Sequence, residues 1–487
     1  MNDVVRVMRH GAGATVRRGL ARLVPVVVCA ALLTACTPNV IDGRATSMLF
    51  NPERVGGLPV SEGPSGPRPN APAPEGTVEY SDDGPMDRLA LLAVNDIQDF
   101  WADNYEKYLA GQFEPVDTLA SYDSTDPNSP ELCGSSMYDS PNAAFCFRLN
   151  TMIWDRGVFL PVAQEYFGDM GVVGVIAHEY GHALQWMAGI ADMDTPGLVR
   201  EQQADCFAGV YLHWVAAGDS PRFTLSTGDG LNHVLAGVIY IRDRLEGGPS
   251  DDPHGSALDR VSAFQLGFTG GADQCAAIDM DEITKRQGDL PEHVTFDSGT
   301  SLDSPINDDT LAKLMAVLDT TFQPAEAPTL TTDRSECTGA TITEPTSYCP
   351  DSNKIFVDMP ALQAAGATKN EESDEVLVQG DNSALSIVTS RYALAIQKER
   401  GAKIDTPVAA LRTACLTGVA QGQMTEEDGA DFILSPGDTD EAVAGLLANG
   451  LAASDVNGVP APAGFSRILA YRLGLSSRID ECFERFT

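Results

Sequence analysis

The stretch GVIAHEYGHALQWMAG, residues 174–189, contains the pattern HExxH inside an apolar segment with helical spacing. Residues four apart lie on one face of a helix, so His178 and His182 can both reach one metal ion, with Glu179 beside it. The apolar neighbours argue against two surface histidines with an incidental acid between them. The stretch therefore predicts a buried helix that supplies two ligands to a zinc ion.

A third ligand is expected, because a catalytic zinc takes three protein ligands and keeps one position for water. The segment VREQQADCFAGVYLHW, residues 199–214, supplies Glu201, followed one helical turn later by Asp205. We expect Glu201 to complete a His2Glu site for one Zn²⁺. Asp205 can accept a hydrogen bond from a ligand imidazole and fix its tautomer. Without the preceding HExxH, the same two acids would indicate only a solvated helix face.

Several motifs in one order, covering about residues 88–275, carry a resemblance to a known family. They are Cys133-Gly134, Cys146, Ile153-Trp154-Asp155, HEYGH, ExxADCFAG from Glu201 to Gly209, and His254-Gly255-Ser256 followed by Arg260, Gly267 and Cys275. The chain resembles the bacterial neutral zinc metallopeptidase family of the gluzincin type. It departs from the family's usual Cys-Pro-x-Asp, because Phe147-Arg148-Leu149 follows Cys146.

The resemblance implies peptide-bond hydrolysis by a zinc-bound water, with Glu179 as the general base that passes the proton to the leaving amine. Two roles remain open for His254. Its spacing to Arg260 is similar to the His-Pro-x4-Arg segment of related membrane-associated zinc peptidases, which favours a donor to the tetrahedral intermediate. The alternative is a structural histidine that caps a helix. For Arg260 we expect a structural ion pair.

A second segment, SIVTSRYALAIQKERG at residues 386–401, aligns without a gap with residues 174–189 and keeps the tyrosine, glutamine and final glycine. Four cysteines of the first half recur in the second half, in the same order and at a nearly constant offset. These features indicate a tandem duplication of a unit of roughly 190 residues. The second copy has lost every chemical group of the first: Ser390, Arg391, Leu394, Ala410, Ala414 and Ala461 stand where the first copy has His178, Glu179, His182, Glu201, Asp205 and His254.

We therefore expect the second copy to fold like the first and to bind no zinc. Since it keeps its apolar positions, a docked pseudo-dimer partner is the favoured interpretation of its role, and intramolecular docking of the two domains is expected. An independent unit on a flexible connection through residues 289–308 is the alternative.

The chain has ten cysteines, and eight remain after Cys29 and Cys36 at the amino terminus are set aside. An even number in an exported body favours disulfides over free buried thiols. Because a bridge in one copy should recur in the other, the repeat also predicts the pairing: Cys133 with Cys146, Cys206 with Cys275, Cys337 with Cys349, and Cys415 with Cys482.

The amino terminus has the pattern of a lipoprotein signal. Residues 1–35 contain five arginines and one acid, then an apolar run that ends in Leu33-Thr34-Ala35 before Cys36. We expect Cys36 to carry the lipid that anchors the chain to the outer face of a membrane. A membrane-spanning anchor is disfavoured, because the run is shorter than the roughly 20 apolar residues that a span needs.

The net charge of −37 disfavours nucleic acid as a partner and suits a soluble exported surface. The predicted fold class is α+β, mainly helical, with tandem zincin-like metallopeptidase domains that each have a small β-sheet. The predicted division is a signal peptide (1–35), a Pro/Gly-rich tether (36–85), a zinc metallopeptidase domain (86–290), a linker (291–306) and a degenerate domain without a zinc site (307–487).

The predicted function is a lipid-anchored, extracytoplasmic zinc metallopeptidase that acts on a peptide or protein substrate. A cell-surface binding or scaffold lipoprotein with a non-catalytic metallopeptidase fold is the alternative. Selective decay argues for the enzyme, since one copy lost every ligand and the other lost none.

Overall fold

The computed structural model describes two short amino-terminal strands and most of residues 50–487, namely 50–243, 253–287, 303–374, 376–424 and 432–487. The chain divides into two compact units, residues 1–45 and 46–487. In the first unit, strands β1 (Val40–Ile41) and β2 (Arg44–Ala45) pair antiparallel. The predicted signal peptide, the lipidation site Cys36 and residues 291–302 of the predicted linker lie outside the described residues.

The unit of residues 46–487 is mixed α+β, about half helical, with small sheets. Its helices are α1 (Pro85–Tyr108), α2 (Phe159–Ala188), α3 (Gly197–Ala216), α4 (Asp229–Tyr240), α5 (Ala257–Gly270), α6 (Ala272–Ala276), α7 (Met280–Gln287), α8 (Asp308–Phe322), α9 (Met359–Ala365), α10 (Glu371–Asp374), α11 (Asp381–Glu399), α12 (Pro407–Gln421), α13 (Asp438–Ala448), α14 (Gly464–Leu475) and α15 (Ile479–Arg485). Its strands are β3 (Arg54–Val55), β4 (Leu58–Pro59), β5 (Gly66–Pro67), β6 (Thr118–Tyr122), β7 (Glu131–Leu132), β8 (Ser135–Ser136), β9 (Ala143–Cys146), β10 (Thr151–Asp155), β11 (Phe223–Thr224), β12 (Thr329–Thr331), β13 (Thr346–Cys349) and β14 (Lys354–Val357).

Two three-stranded sheets have the same topology, one in each half of the sequence. In the first, β10 lies between β6, to which it is parallel, and β9, to which it is antiparallel. In the second, β14 lies between β12, parallel, and β13, antiparallel. Among the described residues of this unit, three further pairs of strands occur: β3 with β4, β5 with β11, and β7 with β8. The repeated topology agrees with a duplicated unit.

Helix α2 contains the HExxH segment and crosses the middle of the first copy. Gly168 breaks it, with a φ of +70° that residues with a side chain rarely adopt. After the break, residues 169–188 bury an apolar surface that includes Val172, Ile176 and Leu184. Each such side chain stabilises the fold by about 1.5–3 kcal/mol relative to exposure. The helix ends at Gly189, which is left-handed and donates back to the carbonyls of Gln185 and Trp186.

Glycines allow the closest helix crossing of each copy. Between α3 and α5, a Cβ added at Gly267 would lie 1.8 Å from the carbonyl oxygen of Cys206. Between α12 and α14, a Cβ at Gly474 would lie 2.0 Å from the carbonyl oxygen of Cys415. Both distances are far below a van der Waals contact, so only glycine permits these crossings.

The cysteines pair as the repeat predicts, within each copy. One bridge of each copy joins a short loop to its sheet, and the other joins the helix after the HExxH-like segment to a later short helix. The four pairs are Cys133–Cys146, Cys206–Cys275, Cys337–Cys349 and Cys415–Cys482. Disulfides of this number indicate a location outside the cytosol.

The prediction of an extended tether at residues 36–85 does not hold for residues 50–85. Strand β5 pairs with β11 of the folded body, and Val55 is fully buried. The backbone amide of Ser61 donates to Thr227 Oγ1 at 2.8 Å, and that of Arg68 donates to a body carbonyl. Backbone groups, short polar side chains and scattered apolar residues such as Val55 hold this segment, so its Pro/Gly/Ser-rich composition shows no regular apolar pattern.

The predicted boundary between residues 86–290 and 307–487 separates two copies that lie in one compact unit. A single hydrophobic core runs through both of them. Helices α13 and α14 of the second copy pack on α4 and α5 of the first. At this contact the rings of Phe268 and Phe465 lie 5.1 Å apart, and Gln265 Nε2 donates to the carbonyl of Phe465.

Candidate metal centre

The three predicted ligands meet between α2 and α3. His178 Nε2 lies 3.1 Å from Glu201 Oε2, and His182 Nε2 lies 3.4 Å from Glu201 Oε1. One donor atom from each residue falls within 4.8 Å of the other two. The helices approach closely here because Gly181 has no side chain. A Cβ added at Gly181 would lie only 2.8 Å from the Cα of Ala204. The group can therefore hold one metal ion.

Both imidazoles are oriented through their Nδ1 atoms. His178 Nδ1 lies 2.8 Å from Asp205 Oδ1, and His182 Nδ1 lies 3.0 Å from Gln185 Oε1. Both partners are oxygen acceptors, so they fix the tautomer with hydrogen on Nδ1. Each Nε2 then faces the Glu201 carboxylate and can present its lone pair to a metal ion, as a ligand requires.

Asp205 takes the predicted position and is itself held by Arg260. Arg260 Nε donates to Asp205 Oδ2 at 2.9 Å, and Nη2 donates to Oδ1 at 2.8 Å. Both side chains are almost fully buried. Burial raises the pKa of Asp205, but the positive charge of Arg260 and the contact with His178 outweigh it, so the pKa lies below its usual value. Arg260 thus forms the expected ion pair and serves the metal centre through Asp205.

Gln185 is a site residue that the sequence pattern does not predict. Its Nε2 donates to the carbonyl of Arg200 at 2.6 Å and to Gln203 Oε1 at 3.1 Å. These bonds direct its oxygen at His182. The available signal was its position, three residues after His182 on the same helix, although the identical Gln397 in the copy without ligands indicated packing instead.

Glu201 provides the test of whether a cation fits here. Its Oε2 is buried and has no hydrogen-bond donor among the residues that the structure describes. Burial raises the pKa of this carboxyl, but the two adjacent imidazoles lower it, so that the pKa lies well below its usual value. An ionised, buried carboxylate oxygen without a donor is costly unless a cation meets it. The donor set of two imidazoles and one carboxylate fits a divalent transition metal.

Glu179 lies beside the ligands and faces a cleft of about 290 Å³. Its Oε2 accepts a hydrogen bond from the backbone amide of Phe145 on β9 at 3.1 Å. Burial raises its pKa. The cleft is also lined by Trp186, which is 46 % exposed and whose ring lies 5.5 Å from that of Phe147. A proton acceptor, an edge strand and exposed aromatic surface thus border one cleft.

His254 lines the same cleft from the loop before α5. Its Nε2 lies 3.8 Å from Glu201 Oε2, and its side chain is 49 % exposed. The alternative of a helix cap is wrong, because Ser256 caps α5 in a reciprocal pair with Asp259. Asp243 Oδ1 lies 3.6 Å from His254 Nδ1. No spacing in the sequence indicates a role for Asp243.

In the second copy, a buried arginine occupies the position of Glu179. Arg391 Nε donates to the carbonyl of Thr346 on β13 at 3.1 Å, and Nη1 donates to Ser454 Oγ at 2.8 Å. Ala414 stands where the first copy has Asp205, and Arg467 stands where it has Arg260. Without the carboxylate, Arg467 Nε has no hydrogen-bond partner in the described part of the chain. The replacement groups keep the contact to the sheet and remove the metal donors.

Comparison with known proteins finds short matches to relatives without an assigned activity. The chain is 32 % identical over 123 residues to "Uncharacterized protein YpfJ" of Escherichia coli strain K12, which covers 21 % of this chain and 42 % of that protein. It is 30 % identical over 131 residues to "Uncharacterized protein Rv2575" of Mycobacterium tuberculosis, which covers 23 % of this chain and 42 % of that protein. The chain therefore spans less than half the length of the curated relatives it matches.

No protein-family profile matches the chain, and no solved structure does. Among the described residues, no helix is long and apolar enough to cross a membrane.

Proposed function

We propose that this chain is a zinc metallopeptidase of the gluzincin type, lipid-anchored outside the cytosol, built from two zincin-like copies of which the first is active. One observation carries the proposal: His178 and His182 both turn Nε2 toward the buried carboxylate of Glu201. One oxygen of that carboxylate has no donor among the described residues. Glu179 adjoins this group at an open cleft, which favours catalysis over a purely structural ion.

His178, His182 and Glu201 are the residues that would hold the ion. A bound zinc supplies Lewis acidity, which lowers the pKa of a coordinated water and polarises a carbonyl. Asp205 and Gln185 keep the two imidazoles in the tautomer that can coordinate. The positive charge of the Arg260 guanidinium balances the negative charge of Asp205. This buried acid therefore stays ionised and keeps its bond to His178.

Glu179 is the general base in this proposal. Its carboxylate takes a proton from the attacking water and delivers it to the nitrogen of the leaving amine. The hydrogen bond from the Phe145 amide holds one of its oxygens. The other oxygen would carry out the proton transfer.

His254 is proposed as the donor to the carbonyl oxygen when that oxygen gains negative charge. Its exposure to the cleft and the distance of its Nε2 from Glu201 suit this role. A donor role requires a hydrogen on Nε2, the ring nitrogen that lies 3.8 Å from Glu201.

Strand β9 supplies the substrate groove in this proposal. It is an edge strand of its sheet, and Ala143, Ala144 and Phe145 line the cleft. An edge strand presents unpaired backbone groups that bind an extended peptide by strand addition. The exposed ring of Trp186 would contact an apolar side chain of that peptide.

Zinc content per chain tests the proposal in the purified full-length protein. We expect one zinc in the wild type and none in His178→Ala, while Glu179→Gln keeps its zinc and cleaves no member of a peptide library. His254→Ala should keep zinc and lower kcat/KM by about 100-fold, as loss of an oxyanion donor does. A wild type without zinc under metal-replete conditions would overturn the enzyme and favour the binding or scaffold lipoprotein.

A further inference from the structure

A second group of carboxylates lies in the copy that has lost the zinc ligands. Asp303, Asp381 and Glu441 each place one oxygen within 4.8 Å of the other two. Asp381 and Glu441 are 2 % and 6 % exposed. They come from three separate segments: the stretch before α8, the first residue of α11, and the first turn of α13. The fold therefore brings acids together that are far apart in sequence.

One oxygen of the group is buried without a donor. Asp381 Oδ2 accepts from the Ser304 amide at 2.7 Å, but no N–H or hydroxyl donor of the described ranges reaches Oδ1. Glu441 Oε2 accepts from the Asn382 amide at 2.8 Å. A buried carboxylate oxygen with no donor costs free energy unless a cation or a proton reaches it.

A fourth acid sharpens the choice between a cation and a proton. Asp438 lies against Asp381, and its own oxygens accept from the amide and the hydroxyl of Ser435. Burial raises the pKa of Glu441 to about 9, with Asp438, Asp381 and Asp303 adding to the effect. These carboxylates repel one another, and a divalent cation would relieve that repulsion.

We propose that Asp303, Asp381 and Glu441 form a binding site for a hard divalent cation, with Ca²⁺ as the favoured ion. An all-oxygen donor set suits Ca²⁺ and is a poor match for zinc. Ligand oxygens on opposite sides of Ca²⁺ lie about 4.8 Å apart, as twice a bond of about 2.4 Å. Backbone carbonyls and water would complete the coordination.

The ion would stabilise the junction between the two copies. Asp440 directly precedes Glu441 on α13. Its Oδ1 accepts a hydrogen bond from the Leu258 amide at the start of α5. Arg242 Nε lies 3.3 Å from Asp440 Oδ2. The cation would thus fix the segment before α8 and the start of α13, and α13 in turn contacts the first copy beside the loop of His254.

The test is calcium titration of the full-length protein after chelation, followed by calorimetry and thermal unfolding. We expect one Ca²⁺ per chain and a rise in melting temperature with calcium. Asp381→Asn should weaken calcium binding by at least 10-fold, and it should melt at a higher temperature than the wild type without calcium because one repulsive charge is gone. Glu441→Gln is a second, independent variant with the same expectation.

Two controls separate this site from other effects. Asp103→Asn changes an exposed acid on α1 and should keep the calcium response of the wild type. His178→Ala lacks the proposed zinc ligand and should also keep that response, so failure of the zinc site and of this site are distinguishable. No response at millimolar calcium, or an equal response in Asp381→Asn, would overturn the proposal and leave a cluster of acids that share protons.

Discussion

At the scale of single residues, the two imidazoles of the metal centre depend on different partners. His178 is held by a carboxylate with its own counter-ion, whereas His182 is held by the neutral amide of Gln185. Two donor bonds from Gln185 Nε2 fix that amide against α3. Loss of the amide would let the His182 ring rotate away from Glu201.

We therefore expect Gln185→Met to weaken zinc affinity by about 10-fold or more, as removal of an orienting partner of a metal ligand does. The chain contains a matched control. Gln397 occupies the equivalent position and donates to Thr413 Oγ1. Leu394 stands where the first copy has His182, so Gln397 has no imidazole to orient. Gln397→Met should reduce stability but keep wild-type zinc affinity. Competition with a chelating dye measures both, and equal affinity in Gln185→Met and wild type would contradict the orienting role.

The sequence predicted the residues of this site whose roles follow from helical spacing. His178 and His182 lie on one face of α2 because they are four residues apart. Glu201 meets them because α3 follows α2 closely in the sequence and packs against it. Gln185 and Asp243 were not predictable in the same way. Their roles depend on which rotamer and which loop path the packed structure selects, and a single sequence contains neither.

At the scale of elements, each copy is built around a helix crossing that excludes a side chain. Gly209 and Gly267 form it in the first copy, and Gly418 and Gly474 form it in the second. The crossing of α3 and α5 matters to the site, because α3 carries Glu201 and Asp205 while α5 carries Arg260. A wider crossing would separate Asp205 from its counter-ion.

Gly267→Ala should destabilise the protein by about 3 kcal/mol, at the upper end for an overpacked core, because the new methyl group would overlap the carbonyl of Cys206. Gly174→Ala is the matched control on α2. Its Cβ would meet Val234 at 3.6 Å, an ordinary contact, and alanine favours a helix by roughly 0.5–1 kcal/mol. Chemical denaturation measures both. Equal stability of the two variants would show that the crossing relaxes without cost.

The elements themselves were predictable in unequal measure. The strands around Ile153 and Ile355 have apolar β-branched residues and could be predicted, whereas β6, β9 and β13 are rich in Ser, Thr and Ala and could not. The prediction of a tether at residues 50–85 is wrong for a related reason. The segment joins the body through backbone bonds, which any sequence can make, and through a few scattered apolar side chains such as Val55, which form no regular pattern.

At the scale of the whole molecule, the second copy contributes to the first through α13 and α14. Asp440 receives a bond from the Leu258 amide, and Asn232 Oδ1 accepts from the Gly464 amide. Leu258 begins the helix that follows the loop of His254. The copy that lacks counterparts of His178, His182 and Glu201 thereby helps to place a cleft residue of the other copy, which gives a physical reason for its retained fold.

This contact predicts that the two copies unfold together. All four tryptophans, at positions 101, 154, 186 and 214, lie in the first copy, so their fluorescence reports that copy alone. Phe465 belongs to the second copy, is 1 % exposed, and packs its ring against Phe268. Phe465→Ala should cost about 3–5 kcal/mol by removing a buried ring at the contact.

If the copies are one cooperative unit, that loss shifts the tryptophan transition and the far-ultraviolet circular dichroism transition to the same lower denaturant concentration. Val459→Ala, at a side chain that is 58 % exposed, should shift neither. An unshifted tryptophan transition in Phe465→Ala, with a lowered second transition in circular dichroism, would mean that the copies are separable. The second copy could then not hold the loop of His254 once it unfolds, because a loop is fixed only by a partner that stays folded with it. The two copies would touch without stabilising each other.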